Sequence, residues 1–153
     1  MDGALAMPIF LGSSDAAALV LPLRNVRLRG TLSASGNCIG SYNAAGLEPT
    51  NLCQPDAAHS SFVNGGNGKA FILLEEADTV LVQQLDESLC VLLSGDAARY
   101  GNGAVTAHCK RTAGANDFAG GWCSTTNTAA TASCHDAVAF RFDYAAGSVK
   151  ITN

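Results

Sequence analysis

Six cysteines spread over 153 residues constrain this chain more than any other feature. Cys38, Cys53, Cys90, Cys109, Cys123 and Cys134 form an even set with wide gaps and no C-x-x-C pair. Zinc and redox sites usually draw their sulfurs from tight pairs, so three disulfides suit this spacing better. Six cysteines permit about 15 connectivities, and spacing alone does not choose among them. Nearest-neighbour pairing is the expectation. Cys38–Cys53 would close a segment rich in turn formers (Gly40, Asn43, Gly46, Pro49, Asn51, Pro55), and Cys123–Cys134 would close a Thr/Ala/Asn stretch. Cys90 then pairs with Cys109. Each closed loop is worth roughly 3 kcal/mol in the chain-entropy picture, beside a net stability of ~5–15 kcal/mol. Two alternatives stay open: a metal site drawn from Cys109, Cys123, Cys134 and His108 or His135, and free buried thiols in a cytosolic protein. The disulfide reading ranks first and places the chain in an oxidising compartment.

Composition agrees with that placement. Charged residues make up 14% of the chain, against a usual share of ~25%. Gly, Ala, Ser, Thr and Asn take up the difference, as in extracellular or assembly-forming domains. A formal charge of −4 with nine Lys and Arg argues against a nucleic-acid partner, which needs a clustered basic surface. Arg24, Arg27 and Arg29 lie close together and read as a solvent-facing strand edge. No apolar run approaches the ~18 residues of a transmembrane helix. Met1 to Phe10 carries Asp2 and lacks the basic and apolar regions of a signal peptide. If the protein is exported, its signal would lie upstream or have been replaced, and the chain would then be a fragment of something longer. There is no N-x-S/T glycosylation acceptor.

Residues 1–18 show little pattern and read as a lead-in to a single disulfide-braced domain over 19–153. Leu19, Leu21 and Leu23 alternate as in a half-buried strand. The phase then shifts to Val26 and Leu28, and Pro22 suits an edge or bulge that would explain the shift. Residues 33–68 read as a long structured loop, with Asn64-Gly65-Gly66-Asn67-Gly68 as a turn. Lys69 to Glu75 is apolar on both faces and reads as a central strand. Ala77, Leu81, Leu85, Leu89 and Leu92 repeat at about four residues, which predicts an amphipathic helix over 77–93. Glu75, Glu76 and Asp78 sit where a helix start favours negative charge, and Gly95 suits the left-handed position after its end. Residues 96–136 carry one further expected strand, at 104–111. Val138, Phe140, Phe142 and Tyr144 alternate with Ala139, Arg141 and Asp143 as a strand with one aromatic face. A turn at 145–147 and a last strand over 148–152 complete the reading. The sum is α+β: an antiparallel sheet or sandwich with one helix across a face. An all-β sandwich, with 77–93 as two strands, is the alternative.

Motifs that carry chemistry are weak. Gly65-Gly66-Asn67-Gly68-Lys69-Ala70 misses a phosphate loop at Val63 and Ala70, where Gly and Ser or Thr are required. His135 and Asp136 are neighbours, which strand alternation would point to opposite faces. His59 precedes Ser60 and Ser61, but no G-x-S-x-G elbow is present. Glu48, Asp56, Asn43 and Asn51 offer oxygen ligands for calcium without any repeat spacing. Trp122, Tyr42, Tyr100 and Phe118 fall in loop-like parts, where exposed aromatics stack on sugars or anchor a partner and buried ones fill a small core. Asp56, Tyr42 and Trp122 are the candidate binding residues. No metal or cofactor signature stands out.

The stretches Asn37-Cys38-Ile39-Gly40-x-Tyr42-Asn43, Cys53-Gln54-Pro55-Asp56, Glu76-Ala77-Asp78-Thr79-Val80 and Ser88-Leu89-Cys90-Val91-Leu92-Leu93-Ser94-Gly95 resemble a set of uncharacterised exported bacterial proteins, many of them lipoproteins. The resemblance spans most of residues 20–150; it implies export and a place toward the C-terminal end of a longer chain, but no activity. The expected function is a non-enzymatic extracytoplasmic domain, structural or binding, with a protein or glycan partner at the cell surface. A carbohydrate- or calcium-binding module is the second reading. A small secreted hydrolase using His59 or His135 is the third.

Overall fold

The computed structural model describes residues 4–9, 19–32, 38–39, 41–42, 62–98, 105–144 and 146–147. In chain order these form β1 (Leu5–Ile9), β2 (Leu19–Arg29), β3 (Cys38–Ile39), β4 (Ser41–Tyr42), β5 (Phe62–Asn64) and β6 (Gly66–Leu73). Next come α1 (Leu74–Ala77), β7 (Leu81–Val82), β8 (Glu87–Ser88), α2 (Leu89–Ser94), β9 (Ala97–Ala98) and β10 (His108–Cys109). The remainder are β11 (Arg111–Thr112), β12 (Ala115–Asn116), β13 (Trp122–Cys123), β14 (Thr128–Ala129), β15 (Ala137–Tyr144) and β16 (Ala146–Gly147). Among the described residues the architecture is mostly antiparallel β, with two short helices and two disulfides. The strand order of the main sheet is β1-β2-β6-β15-β13-β14. The chain divides into two units, one within Met1–Val26 and Ala70–Phe140, the other within Arg27–Lys69 and Arg141–Asn153.

Every buried apolar side chain among the described residues belongs to the first unit. Leu19, Leu21 and Leu23 of β2 turn inward, as their alternation predicts, and β6 adds Ala70, Phe71 and Ile72. Part of the expected lead-in segment is a strand: β1 pairs antiparallel with Leu19–Leu23. The phase change in β2 comes from Asn25, at φ 50°, and not from Pro22, which sits in register opposite Ala6. Asn tolerates this left-handed backbone better than most residues.

The single helix expected over 77–93 does not form. Thr79 Oγ1 donates to the Glu76 carbonyl at 2.8 Å as α1 ends, and Leu81–Val82 then pairs with Glu87–Ser88 as a hairpin. Asp86, at φ 53°, closes the turn between them. Ser88 caps α2, accepting from the Val91 N–H at 3.3 Å. The leucine spacing misled because Leu81, Leu85 and Leu92 are exposed, while Val82, Ser88, Cys90 and Val91 fill the interior. Gly95 does follow α2 with φ 71°, its N–H bonded to the Val91 carbonyl at 2.7 Å.

Both disulfides that the described residues can show follow the nearest-neighbour expectation. Cys90–Cys109 ties α2 to β10 across a separation of 19 residues, and Cys123–Cys134 closes a separation of 11. Cys38 lies in β3, but its expected partner Cys53 falls outside the described residues.

In the second unit β3 pairs with β16, and β4 with β5. The Asn/Gly run is strand, not turn, since Asn64 ends β5 and Gly66 begins β6. Its glycines are needed for close approach. A Cβ at Gly66 would enter the Tyr144 ring and one at Gly68 the Phe142 ring. The aromatic face of β15, read correctly from its alternation, lies over glycines in the neighbouring strand. The rings thereby shield backbone that has no side chain of its own. Gly68→Ala should therefore destabilise this unit by about 1–3 kcal/mol through overpacking. Chemical denaturation of the variant beside wild type checks this, and an unchanged midpoint would contradict it. Of the last expected strand, 148–152, no residue is described; Ala146 and Gly147 pair with β3 instead of turning the chain.

Candidate functional site

Two polar constellations occupy the first unit, one interior and one open. The interior one centres on Asp78, whose side chain is 5% exposed. Its Oδ1 accepts from the Ser88 hydroxyl at 2.7 Å and from the Cys109 N–H at 2.8 Å. Oδ2 accepts from Arg111 at 2.9 Å, and the same guanidinium nitrogen reaches Glu75 at 2.7 Å. The His108 ring nitrogen lies 3.1 Å from the Asp78 carbonyl and 3.5 Å from Oδ1. Burial pushes this carboxyl up, but the Cys109 N–H, Arg111, Ser88 and His108 outweigh it and hold it below the usual carboxylate range. Ser88 has no solvent exposure and caps α2, so its hydroxyl meets no substrate. This constellation is a brace.

The open constellation is a cleft of about 480 Å³ lined by Arg24, Asn25, Phe71, Leu73, Glu76, Ser124, Thr125 and Asn127, with Ala4 at its edge. Arg24 comes from β2 and Glu76 from α1. They form a two-point ion pair, Nε to Oε2 at 3.0 Å and Nη2 to Oε1. Ser124, Thr125 and Asn127 belong to the turn joining β13 to β14, where Cys123 pairs with Thr128. Several bonds set that turn. Asp136 accepts from the Ser124 N–H at 2.9 Å and from its hydroxyl at 2.5 Å. The Trp122 indole donates to Asn127 Oδ1 at 3.1 Å. Thr125 Oγ1 lies 3.3 Å from both sulfurs of the Cys123–Cys134 bridge. Burial raises the Asp136 carboxyl, and the two bonds from Ser124, its own backbone and nearby His135 bring it lower than usual.

Asn25 and Asn127 are two of the four non-glycine residues with positive φ among those described, and both line this cleft. Such backbone persists where surrounding structure holds it, and it gathers at ligand sites.

Of the candidate binding residues, Trp122 does not line the cleft, but its indole orients Asn127, which does. Tyr42 lies in β4, and nothing further bears on it; Asp56, with the calcium candidates Glu48, Asn43 and Asn51, falls outside the described residues. The metal alternative loses its ligands. Asp78 with Cys90 and Cys109, and Asp136 with Cys123 and Cys134, cluster their ligand atoms. In each cluster the two sulfurs are bonded to one another, which leaves no thiolate. Hydrolase geometry is not assembled either by the described histidines. Ser124 gives its proton to a carboxylate directly, while His135 Nδ1 lies 3.3 Å from the Thr131 carbonyl. A triad needs the imidazole between serine and carboxylate. His59 falls outside the described residues.

Sequence reasoning missed the cleft because its walls come from distant parts of the chain; Arg24 and Glu76 are 52 residues apart. Compared with known protein families, curated proteins and solved structures, the chain matches none.

Proposed function

We propose that the chain is a non-enzymatic binding domain of an exported bacterial protein, working in the cell envelope or in secreted form, with the Arg24–Asn127 cleft as its ligand site. The observation that carries this reading is convergence: an ion pair, two left-handed asparagines and a disulfide-anchored turn meet around one open cavity. Clefts of ~300–1,000 Å³ that combine apolar walls with a few fixed polar groups are the usual form of a small-molecule site. The Ser124–Asp136 pair supports a binding role, because it fixes the hydroxyl oxygen as an acceptor on the cleft wall, and no described histidine stands between the two as in a triad. The two disulfides among the described residues and the low charge content support the location. Among the described residues no helix is long and apolar enough to cross a membrane.

The test is a thermal-shift screen of saccharides, amino acids, organic acids and nucleosides. A ligand at a hundred times its Kd should add about 2.7 kcal/mol of stability. Its shift should fall to about half, roughly 1.4 kcal/mol for a tenfold loss of affinity, when Asn127 is changed to Gly, which keeps the left-handed backbone and removes the amide. The binding reading fails if no class shifts the melt, or if the shift is undiminished by that change. For the location, protein unfolded without reductant immediately after isolation should yield no titratable thiol from Cys90, Cys109, Cys123 or Cys134.

A further inference from the structure

We infer that the cleft takes a neutral, polyhydroxylated ligand, a pyranose or the end of a short glycan, an assignment that rests on the cleft being the binding site. Three features of the lining carry it. The first is charge. Arg24 and Glu76 are the charged residues lining the cleft among those described, and each is matched to the other through two bonds. A ligand carrying net charge would have to break that pair and leave one member uncompensated, whereas a neutral ligand leaves it whole. An intact arginine–glutamate pair still offers outward N–H donors and carboxylate lone pairs side by side, the pattern that vicinal hydroxyls match, since each hydroxyl both donates and accepts.

The second is the kind of polar group around the pair. Asn25, Ser124, Thr125 and Asn127 bring amides and hydroxyls without net charge. Two of them are set in advance. The Trp122 indole takes the carbonyl side of the Asn127 amide, so its –NH2 side supplies donors. The Ser124 hydroxyl donates to Asp136, so the Ser124 oxygen is left to accept from a ligand hydroxyl. Fixing donors and acceptors before binding lowers the ordering cost that weak ligands must meet. The third feature is apolar: half-buried Leu73 and the small exposed edge of Phe71, on one face of β6, line the cleft as an apolar contact for the C–H face of a sugar ring.

The experiment is a series of 15N–1H NMR titrations on the intact oxidised chain. Its arms are neutral methyl hexopyranosides and N-acetylhexosamines, neutral oligosaccharides, hexuronates, free α-amino acids and inorganic phosphate. Neutral saccharides should shift the amides of Asn25, Ser124, Thr125 and Asn127 saturably, with Kd on the order of 1 mM, and oligosaccharides should bind more tightly than single rings. Asn127→Gly should weaken that binding by about tenfold, the worth of one well-placed hydrogen-bonding group. A retained Ser124 amide resonance, from the N–H bonded to Asp136, shows that the turn still folds in the variant, and Thr125→Val provides a second variant on the same wall. Saturable cleft shifts with amino acids, uronates or phosphate and none with neutral saccharides would overturn the ligand assignment while leaving the site in place. If no arm moves the cleft resonances, the binding reading itself falls, and this assignment with it.

Discussion

Opening both described disulfides with a strong dithiol should lower the melting temperature by tens of degrees and abolish the folded baseline of the first unit at 37 °C. Cys90–Cys109 closes 19 residues and Cys123–Cys134 closes 11. By loop-closure entropy each contributes about 3 kcal/mol, roughly 6 kcal/mol together. That is comparable with the whole net stability of a domain, ~5–15 kcal/mol. Around the bridges lie strands of two residues and irregular chain from Val105 to Ala130 that cannot supply equivalent pairing. The two bridges should open in order. Cys134 is partly exposed, whereas Cys90 and Cys109 are fully buried, so limiting reductant should cut Cys123–Cys134 first. That step frees the turn carrying Ser124, Thr125 and Asn127, so ligand binding should disappear before the melt collapses. Mass spectrometry of alkylated thiols, followed beside circular dichroism, reads both events. A fully reduced chain melting within a few degrees of the oxidised one would show that packing, not sulfur, holds this unit.

What could be read from the sequence was set by short range. Cys90–Cys109 and Cys123–Cys134 were legible because neighbouring cysteines close the shortest loops. The inward leucines of β2 and the aromatic face of β15 were legible because strand alternation is a two-residue rule. Gly95 was legible because a left-handed residue ends α2 within one turn. Residues 77–93 were misread because leucines four apart satisfy a helix as well as they decorate the outside of a hairpin, and their spacing carries no trace of where Asp78 points. Asp78 is the informative case. It lies four residues after buried Leu74, on the inward side of the chain, and its partners Ser88, Cys109 and Arg111 follow 10, 31 and 33 residues later. Gly66 and Gly68 misled for the same reason: the rings that make them strand residues belong to β15, more than 70 positions on. The cleft was invisible on this ground too, being an agreement among Arg24, Glu76 and the 124–127 turn that no local motif records.

Replacing Asp78 should be the most damaging single substitution in the first unit. Asp78→Ala removes the acceptor for the Ser88 hydroxyl, the Cys109 N–H and the Arg111 guanidinium together. Leaving the buried Ser88 hydroxyl and Cys109 N–H without their acceptor costs about 1–3 kcal/mol each, while Arg111, partly exposed, keeps water and Glu75. Asp78→Asn keeps the shape and one oxygen and forfeits the charge opposite Arg111, at roughly 1.5–3 kcal/mol. The two variants separate charge from packing. They also predict an acid limb. The folded Asp78 carboxyl titrates below its ordinary value, so the stability it confers is complete above the unfolded value near ~3.9 and drains away as pH falls through the lower folded value. Asp136 acts in the same direction, held low after burial is offset by Ser124. Wild type should therefore lose stability steeply below about pH 4, and Asp78→Ala should start lower and fall less steeply over the same window. Urea midpoints measured from pH 7 to pH 2.5 give both slopes. Parallel acid limbs in the two proteins would mean that Asp78 does not couple protonation to folding, and a loss at neutral pH below about 1 kcal/mol would mean that its three donors find other partners.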